Sequence, residues 1–264
     1  MKRPVKKKRI IIISLIIVLV LVSCWYFIGR FSYSKVLAFY PVENRKDSSL
    51  TIGIIGASWA ASANMDPIIQ HGLQENGFNY KVISSGQPGA TSKEIYQNLF
   101  KETEKEFSSR FIIETRPEYC LLMEGGNDAV SQLGGKFNAY HTIHIIKTLL
   151  HYNIKPIVVA VPEIGVTEAN NSLDLFSRYR NIITAYFTNH GEIENISAYR
   201  KIFEQQLTIE NLKDSIILID FDKVCADYNA CPGLYSNPTH LSEKGYEKFC
   251  NVILEDLLKK MRKQ

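Results

Sequence analysis

Short apolar runs rich in β-branched residues alternate along the chain with stretches in which apolar residues recur at helical spacing. Strands that alternate with helices in this way form a parallel sheet covered on both faces. The pattern therefore predicts a three-layer α/β/α domain around a five-stranded, mostly parallel sheet. The predicted strands are residues 50–56, 80–84, 119–124, 155–161 and 215–221, and the predicted helices are residues 65–76, 92–107, 140–152, 173–189 and 246–261.

The N-terminal region follows a different pattern. Residues 1–9 contain six Lys or Arg and no acidic residue, and residues 10–29 are twenty residues without a charge. Such a run spans a bilayer core of about 30 Å, and basic residues on its N-terminal flank favour a cytoplasmic N-terminus. We therefore expect a cytoplasmic tail at 1–9, a transmembrane signal-anchor at 10–29, a linker at 30–48 and an extracytoplasmic domain at 49–264.

Two other interpretations of the apolar run remain open. A cleaved secretory signal would need a small-x-small cleavage site, and none of good quality follows the run. A lipoprotein signal is suggested by "LVSC", which ends on Cys24, but the apolar run continues beyond it through "WYFIG". All three interpretations export the rest of the chain.

The formal net charge of +4 arises in the basic tail. Without those six residues, 25 basic residues face 27 acidic ones, a net charge of about −2. A nearly neutral domain lacks the basic surface that nucleic-acid binding requires, so no nucleic-acid partner is expected. The tail is instead an orientation signal beside the membrane.

The five cysteines bear on the compartment and on metal binding. Cys225 and Cys231 bracket a short loop and can form a disulfide outside the cell. Cys120 lies in a predicted strand and Cys250 in a predicted helix, so both are expected as buried thiols. Because no CxxC pair is present, a zinc site has little support. No cofactor is expected.

Chemically active residues follow several of the predicted strands. Ser58 follows the first strand in "GASWA", "SSGQPGATS" at 84–92 follows the second, "EGGNDA" at 124–129 follows the third, and His240 precedes the last helix. The carboxyl ends of parallel strands share one edge of a sheet, where sites form. A serine with a histidine base and nearby amide donors suits acyl transfer, in which the donors stabilise an oxyanion. Each motif alone has an ordinary structural explanation, such as a helix cap or a turn.

Taken together, the motifs resemble the four sequence blocks of the SGNH hydrolases, also called the GDSL esterase/lipase family. The blocks correspond to "GASWA", "GQPGATS", "GGND" and "NPTH", and the resemblance covers about residues 50–262. It implies a flavodoxin-like α/β/α fold and Ser58 as the nucleophile, with His240 as its base. It also implies an oxyanion hole formed by the Ser58 N–H, the Gly89 N–H and the Asn127 amide.

Two positions depart from the family pattern. The aspartate that precedes the family's serine is Ala57 here, and a modest effect on the turn is expected. The aspartate three residues before the histidine is Asn237. The Asn237 side-chain oxygen can orient the imidazole without a charge, and we favour this arrangement and include Asn237 among the catalytic residues. A backbone carbonyl or another acid, Glu243 or Asp227, remains an alternative.

The leading functional hypothesis is a membrane-anchored serine esterase that removes small acyl groups, acetyl first, from a glycan or another small ester. A second is an O-acyltransferase that modifies a cell-surface glycan through the same acyl-enzyme, together with a multi-pass membrane acyltransferase. A third is a catalytically impaired module that binds a glycan or a partner, which the substitutions at positions 57 and 237 would favour. Labelling by a serine-reactive phosphonate distinguishes the two enzymes from the binding module. A comparison of acetate release with acyl transfer to an added sugar then distinguishes the esterase from the acyltransferase.

Overall fold

The computed structural model describes residues 4–42, 50–61, 65–219 and 224–262. The chain falls into two compact units, Met1–Ser34 and Lys35–Gln264. The first unit contains one long helix, α1 (Pro4–Phe31), which covers the predicted transmembrane segment. Within the described parts of the chain, its stretch Lys8–Phe31 is the one helix with the length and composition to cross a membrane, and a signal sequence shares both properties.

The second unit is built on a five-stranded parallel sheet with the order β2-β1-β3-β4-β5. This arrangement confirms the predicted three-layer fold class. The end of the predicted last strand, residues 220–221, lies outside the described residues. The strands are β1 (Thr51–Gly56), β2 (Lys81–Gly86), β3 (Tyr119–Met123), β4 (Lys155–Val159) and β5 (Ile217–Ile219).

Helices cover both faces of the sheet because side chains alternate along each strand. Ile52 and Ile54 of β1 face one apolar layer, and Ile55 faces the other. The first layer includes α2 (Met65–Glu75) and α10 (Glu243–Met261). The second includes α3 (Ser92–Asn98), α4 (Arg110–Thr115), α6 (Gly135–His151) and part of α9 (Ile196–Ile209). Shorter or peripheral elements are α5 (Gly126–Val130), α7 (Val166–Ser172), α8 (Leu175–Thr188) and the hairpin strands β6 (Tyr235–Asn237) and β7 (His240–Leu241).

The helix predictions differ from the structure in extent and in number. The helix expected at 140–152 begins earlier, at Gly135, and α4, α5 and α7 were not predicted. The helix expected at 92–107 ends at Asn98, because residues 101–106 are "KETEKE" and offer no apolar side chain to bury. The helix α9 was not predicted, although its buried residues recur at helical spacing after an Asn195 cap. Those residues are Ile196, Tyr199, Phe203 and Leu207.

The predicted linker was residues 30–48, of which 43–48 lie outside the described residues. Residues 35–42 have no regular secondary structure and are hydrogen-bonded to the domain. The Tyr40 N–H donates to Tyr152 Oη at 3.0 Å, and that hydroxyl donates back to the Tyr40 carbonyl at 2.9 Å. The Leu37 N–H donates to Tyr96 Oη at 3.0 Å. This segment therefore belongs to the domain surface.

The cysteines occupy the environments that the sequence indicated. Cys225 and Cys231 form a disulfide that closes the loop before β6. Cys120 and Cys250 are buried thiols, and burial raises the pKa of Cys250 to about 12. Neither thiol is therefore ionised near neutral pH.

Candidate active site

Ser58 lies in a tight turn directly after β1. Gly56 ends the strand where no side chain fits, since a Cβ there would lie 2.1 Å from the Met123 carbonyl oxygen. The Ala57 N–H donates to that same carbonyl, and the Ala61 N–H donates to the Ala57 carbonyl at 3.1 Å, which closes the turn. The close approach of Gly56 in β1 to the Met123 carbonyl in β3 thus allows the tight turn that places Ser58 at the carboxyl edge of the sheet.

Ala57 stands where the SGNH hydrolases, which the sequence resembles, have an aspartate. Its side chain is buried in the same apolar layer as Ile55 and Ala90. A methyl group therefore fills the space beneath the turn, and the turn keeps its backbone hydrogen bonds without a carboxylate.

His240 is held by the β6–β7 hairpin and by the start of α10. Asn237 and His240 are partners in the two-stranded ladder. Ser242 caps α10 by accepting the Gly245 N–H at 3.2 Å, and its own N–H donates to the Leu234 carbonyl at 2.9 Å. The histidine is thus positioned by backbone hydrogen bonds on both sides.

The structure brings Ser58 and His240 together across 182 positions of sequence. Ser58 Oγ lies 3.0 Å from His240 Nε2, a hydrogen-bond distance for a nucleophile and its base. Trp59 braces this pair, because its indole Nε1–H donates to the Thr239 carbonyl at 3.0 Å. The indole is buried and packs edge-on against Phe249 of α10, with ring centroids 5.0 Å apart.

Asn237 Oδ1 is oriented by two backbone amides. It accepts the Thr239 N–H at 2.9 Å and the His240 N–H at 3.0 Å, so an amide NH₂ group at this position would face two donors. The same oxygen lies 3.2 Å from His240 Nδ1. Because Oδ1 can only accept, it favours the tautomer with a proton on Nδ1, which leaves Nε2 free to accept the Ser58 proton.

Thr239 is a second partner of the imidazole. Its Oγ1 lies 3.0 Å from His240 Nδ1 and donates to Asn237 Oδ1 at 3.1 Å. The hydroxyl can accept from Nδ1–H while it donates to the amide oxygen, so the three groups form one small network.

The two alternative acids have other roles. Glu243 is the first residue of α10, where its charge suits the positive end of the helix dipole. Asp227 accepts the Asn229 N–H at 3.0 Å and caps a short 3₁₀ turn. The hydrogen bonds of the described residues therefore favour Asn237 as the orienting group.

Gly89 occupies a turn that requires glycine. The Ala90 N–H donates to the Gln87 carbonyl at 3.1 Å, and Gly89 has a φ of +77°. Pro88 and Gly89 are thus the two central residues of a type II turn, whose second position favours glycine. A Cβ at Gly89 would meet no atom within 4 Å, so the constraint is conformational and leaves the backbone open to a ligand.

Asn127 and Asp128 connect the third block to the second. Asn127 Nδ2 donates to the Ala90 carbonyl at 2.8 Å, beside the Gly89 turn. The Asp128 carboxylate is fully buried and accepts both the N–H and the hydroxyl of Ser92, at 2.8 and 2.7 Å. Burial raises the pKa of Asp128, against these hydrogen bonds, which lower it. The pair fixes the Asn127 amide, which keeps a second N–H, next to the Gly89 turn.

Glu124 lies at the base of the site. Its partners are side chains: Asn138 Nδ2 donates to Oε2 at 2.6 Å, and the Thr142 hydroxyl donates to Oε1. Burial, and then the neighbouring Asp128 carboxylate, raise the pKa of Glu124 well above its ordinary value. Burial thus favours the neutral form of Glu124 at a pH where a solvated carboxyl group is ionised.

A pocket of about 380 Å³, measured with its open mouth, lies in front of Ser58. Both Ser58 and His240 line it, and so does Asn127. Its remaining walls are mainly apolar. They include Trp59, Met123, Val161 and Ile164.

Sequence reasoning missed four of the residues that build this site. No role was assigned to Trp59, although a tryptophan directly after the proposed nucleophile was visible in "GASWA". Thr239 and the Asp128–Ser92 pair were missed as well, and only proximity in space reveals their contacts.

No family model matches the chain, and no curated protein matches it significantly. Solved structures do. A lipase/acylhydrolase from Enterococcus faecalis is 17% identical over 80% of this chain and 96% of its own, with a TM-score of 0.56. The acetyl xylan esterase AlAXEase is 16% identical over 78% of this chain and 98% of its own, with a TM-score of 0.56.

A candidate SGNH hydrolase from Slackia heliotrinireducens is 13% identical over 80% of this chain and 100% of its own, with a TM-score of 0.51. At such identities the likeness establishes the fold. The chain has the fold of the SGNH hydrolases, which confirms the fold that the sequence resemblance implied.

Proposed function

We propose that this chain is a membrane-anchored, extracytoplasmic SGNH-type serine esterase that removes small acyl groups, acetyl first, from a glycan. The observation that carries the proposal is the 3.0 Å contact between Ser58 Oγ and His240 Nε2 inside a pocket that Asn127 also lines. A serine and a histidine in this contact at the carboxyl edge of a parallel sheet have the geometry that acyl transfer requires.

The reaction follows from that geometry. Ser58 Oγ bonds to the ester carbonyl carbon as its proton passes to His240 Nε2, and the carbonyl oxygen becomes an oxyanion. The N–H groups of Ser58 and Gly89 and the Asn127 amide stabilise that oxyanion. The carbon–oxygen bond to the leaving alcohol breaks, and Nε2 returns the proton to the leaving oxygen. Water, deprotonated by the same nitrogen, then releases the acid and restores Ser58.

The lining of the pocket supports a small acyl group. Val161 and Ile164 form apolar walls beside the nucleophile, and the buried Trp59 and Met123 close its inner side. A short acyl chain fits against these walls, whereas a long one would have to extend through the mouth. A glycan as the alcohol part is supported by one structural neighbour, the acetyl xylan esterase.

Two features support the anchor and the export of the domain. The helix Lys8–Phe31 has the length and apolar composition of a membrane span, preceded by basic residues. The disulfide between Cys225 and Cys231 is typical of proteins that fold in an oxidising compartment.

The test uses the full chain in detergent with a fluorophosphonate probe and nitrophenyl esters of increasing acyl length. We expect labelling and hydrolysis by the wild type, fastest with acetate. Ser58→Ala should abolish labelling and lower kcat by at least about 10⁴-fold, because the nucleophile is lost. Ser197→Ala, at an exposed serine on α9, is the matched control and should behave as the wild type.

Free acetate released from an O-acetylated polysaccharide reports the proposed substrate class. Equal labelling of the wild type and Ser58→Ala would refute the esterase. Hydrolysis of nitrophenyl acetate without release of acetate from any polysaccharide would refute the glycan substrate and leave the esterase intact.

A further inference from the structure

Helix α8 presents an apolar face to solvent. Seven large apolar side chains on this fourteen-residue helix are between 41% and 73% exposed. An amphipathic helix of a globular domain normally turns such a face towards the core. The seven are Leu175, Phe176, Tyr179, Ile182, Ile183, Tyr186 and Phe187.

The spacing of these residues shows that they form one continuous face. They occupy positions i, i+1, i+4, i+7, i+8, i+11 and i+12 of the helix, which is the periodicity of a single helical stripe. Contiguous exposed apolar surface of this kind marks an interaction site. Seven scattered surface residues would not need such an explanation, whereas a periodic stripe does.

The opposite face of α8 packs against the domain, so the helix cannot rotate to bury its apolar face. The buried residues of α8 on this side are Asn181, Thr184 and Ala185. Asn181 Nδ2 donates to the Val130 carbonyl and to Asn170 Oδ1, both at 2.8 Å. The Asp174 side chain caps the first turn by accepting the Ser177 N–H at 3.0 Å.

The chemistry of α8 matches a lipid surface. Four of the seven exposed apolar residues are aromatic, and Tyr and Phe are suited to the boundary between headgroups and acyl chains. The charged residues within the helix are Arg178 and Arg180, and the Asp174 cap precedes it. Arg178 is exposed beside the apolar stripe, and a cation there complements anionic headgroups.

We propose that α8 lies in the headgroup region of the membrane that holds the N-terminal helix, with its apolar face buried among the lipids. The inference rests on the anchor of the proposed function and not on its ester chemistry. Since the domain and the apolar N-terminal helix are one chain, the domain remains close to any membrane that the helix spans. A surface helix needs only modest affinity under those conditions.

The attachment of α8 has a consequence for the site. Val130, which accepts from Asn181, ends the helix α5 that begins beside Asn127. Docking of α8 would tie α5, which carries Asn127, to the lipid surface, and the proposed substrate class is acylated glycans that are presented at a membrane.

The experiment measures the depth of α8 in the bilayer. The full chain carries Cys24→Ser, which removes the exposed thiol, and Phe187→Cys, labelled with an environment-sensitive fluorophore. It is reconstituted in vesicles of phosphatidylcholine and phosphatidylglycerol, with or without brominated phosphatidylcholine. The matched control is Gln205→Cys, at an exposed polar position of α9.

We expect bromine to quench the fluorophore at position 187 at least about twofold, because an interfacial helix buries its apolar face about 5–10 Å deep. The fluorophore at position 205 should change little. Equal, weak quenching at both positions would overturn the proposal. A second result would also overturn the proposal. If the fluorophore at position 187 were shielded from solvent to the same extent in lipid-free detergent, and position 187 cross-linked to a second copy of the chain, a protein partner would cover the apolar face.

Two readouts on the same sample separate this inference from the proposed function. Hydrolysis of nitrophenyl acetate by the Phe187→Cys protein reports the active site, and we expect it to equal that of the wild type. Resistance to alkaline carbonate reports the anchor. Quenching at position 187 with failed hydrolysis would support the docking of α8 and refute the esterase, whereas hydrolysis without quenching would refute only the docking.

Discussion

Asn237→Asp tests how His240 is held and what the missing charge costs. The aspartate keeps the oxygen that accepts the Thr239 and His240 N–H groups, so the hairpin geometry is preserved. It adds a negative charge 3.2 Å from His240 Nδ1. The imidazole becomes positively charged only as it takes the Ser58 proton, so the new attraction acts in the transition state and raises kcat.

The magnitude follows from Coulomb's law at this distance. Two unit charges 3.2 Å apart attract by about 1.3 kcal/mol in water-like surroundings and by about 5 kcal/mol at an effective dielectric constant of about 20. Asn237 is exposed, which favours the lower value. About 1.4 kcal/mol is a factor of ten, so we expect kcat for nitrophenyl acetate to rise about tenfold.

Asn237→Ala is the complementary change. It removes the acceptor that selects the Nδ1–H tautomer, and the Thr239 hydroxyl can then donate to Nδ1 and place the proton on Nε2. We expect kcat to fall, by up to about 10⁴-fold, the loss produced by an incorrect tautomer in the serine-protease triad. Steady-state kinetics of the three proteins, with near-UV circular dichroism as the control for folding, give the comparison.

The salt dependence provides a further check. A charge effect at an exposed site weakens as ionic strength rises, so the advantage of Asn237→Asp should shrink in high salt. If Asn237→Asp did not raise kcat and Asn237→Ala did not lower it, Asn237 would not orient His240, and a different group would have to hold Nδ1.

Three further predictions concern the oxyanion hole, the buried acid and the disulfide. Asn127→Ala should lower kcat about 10²–10³-fold with a smaller change in KM, because the amide acts on the transition state, and an unchanged kcat would remove it from the oxyanion hole. The pKa of Glu124 is raised in the folded state, whereas the unfolded carboxyl group has its ordinary pKa of 4.5. Between these two pKa values the native state binds more protons than the unfolded state. The free energy of unfolding therefore falls as pH rises through this range. Glu124→Gln should flatten the fall in Tm between about pH 5 and about pH 8, and an identical pH dependence in both proteins would contradict the neutral acid. Replacing both Cys225 and Cys231 by serine should lower the free energy of unfolding by about 2 kcal/mol, the loop-closure value for about seven residues, and an unchanged denaturant midpoint would contradict this.

The sequence by itself determined the architecture and the position of the site. The five apolar runs form five parallel strands. The backbone N–H and C=O groups of such a run pair with neighbouring strands, and its apolar side chains are buried when helices cover both faces of the sheet. Parallel strands present their carboxyl ends at one edge, so Ser58 and the 84–92 and 124–129 segments had to converge. Turn chemistry was equally local: Pro88 and Gly89 specify a type II turn from their own backbone preferences.

Helix boundaries depended on packing, which is not local. The segment 101–106 has good helix formers, yet no helix forms there because nothing in it can be buried. The pattern of α9 was visible from Ile196 onward, but its stability comes from contact with the rest of the domain.

Only the tertiary structure decided how the histidine is oriented. The sequence left open whether Asn237, Glu243, Asp227 or a backbone carbonyl replaces the missing aspartate. The orienting group is the one whose oxygen lies within about 3 Å of His240 Nδ1. A hydrogen bond is lost when that distance grows by less than about 1 Å, and a sequence pattern does not specify distances that finely. The same reason explains why the indole of Trp59, which ties the serine turn to the histidine loop over 180 positions, became visible only in the folded chain.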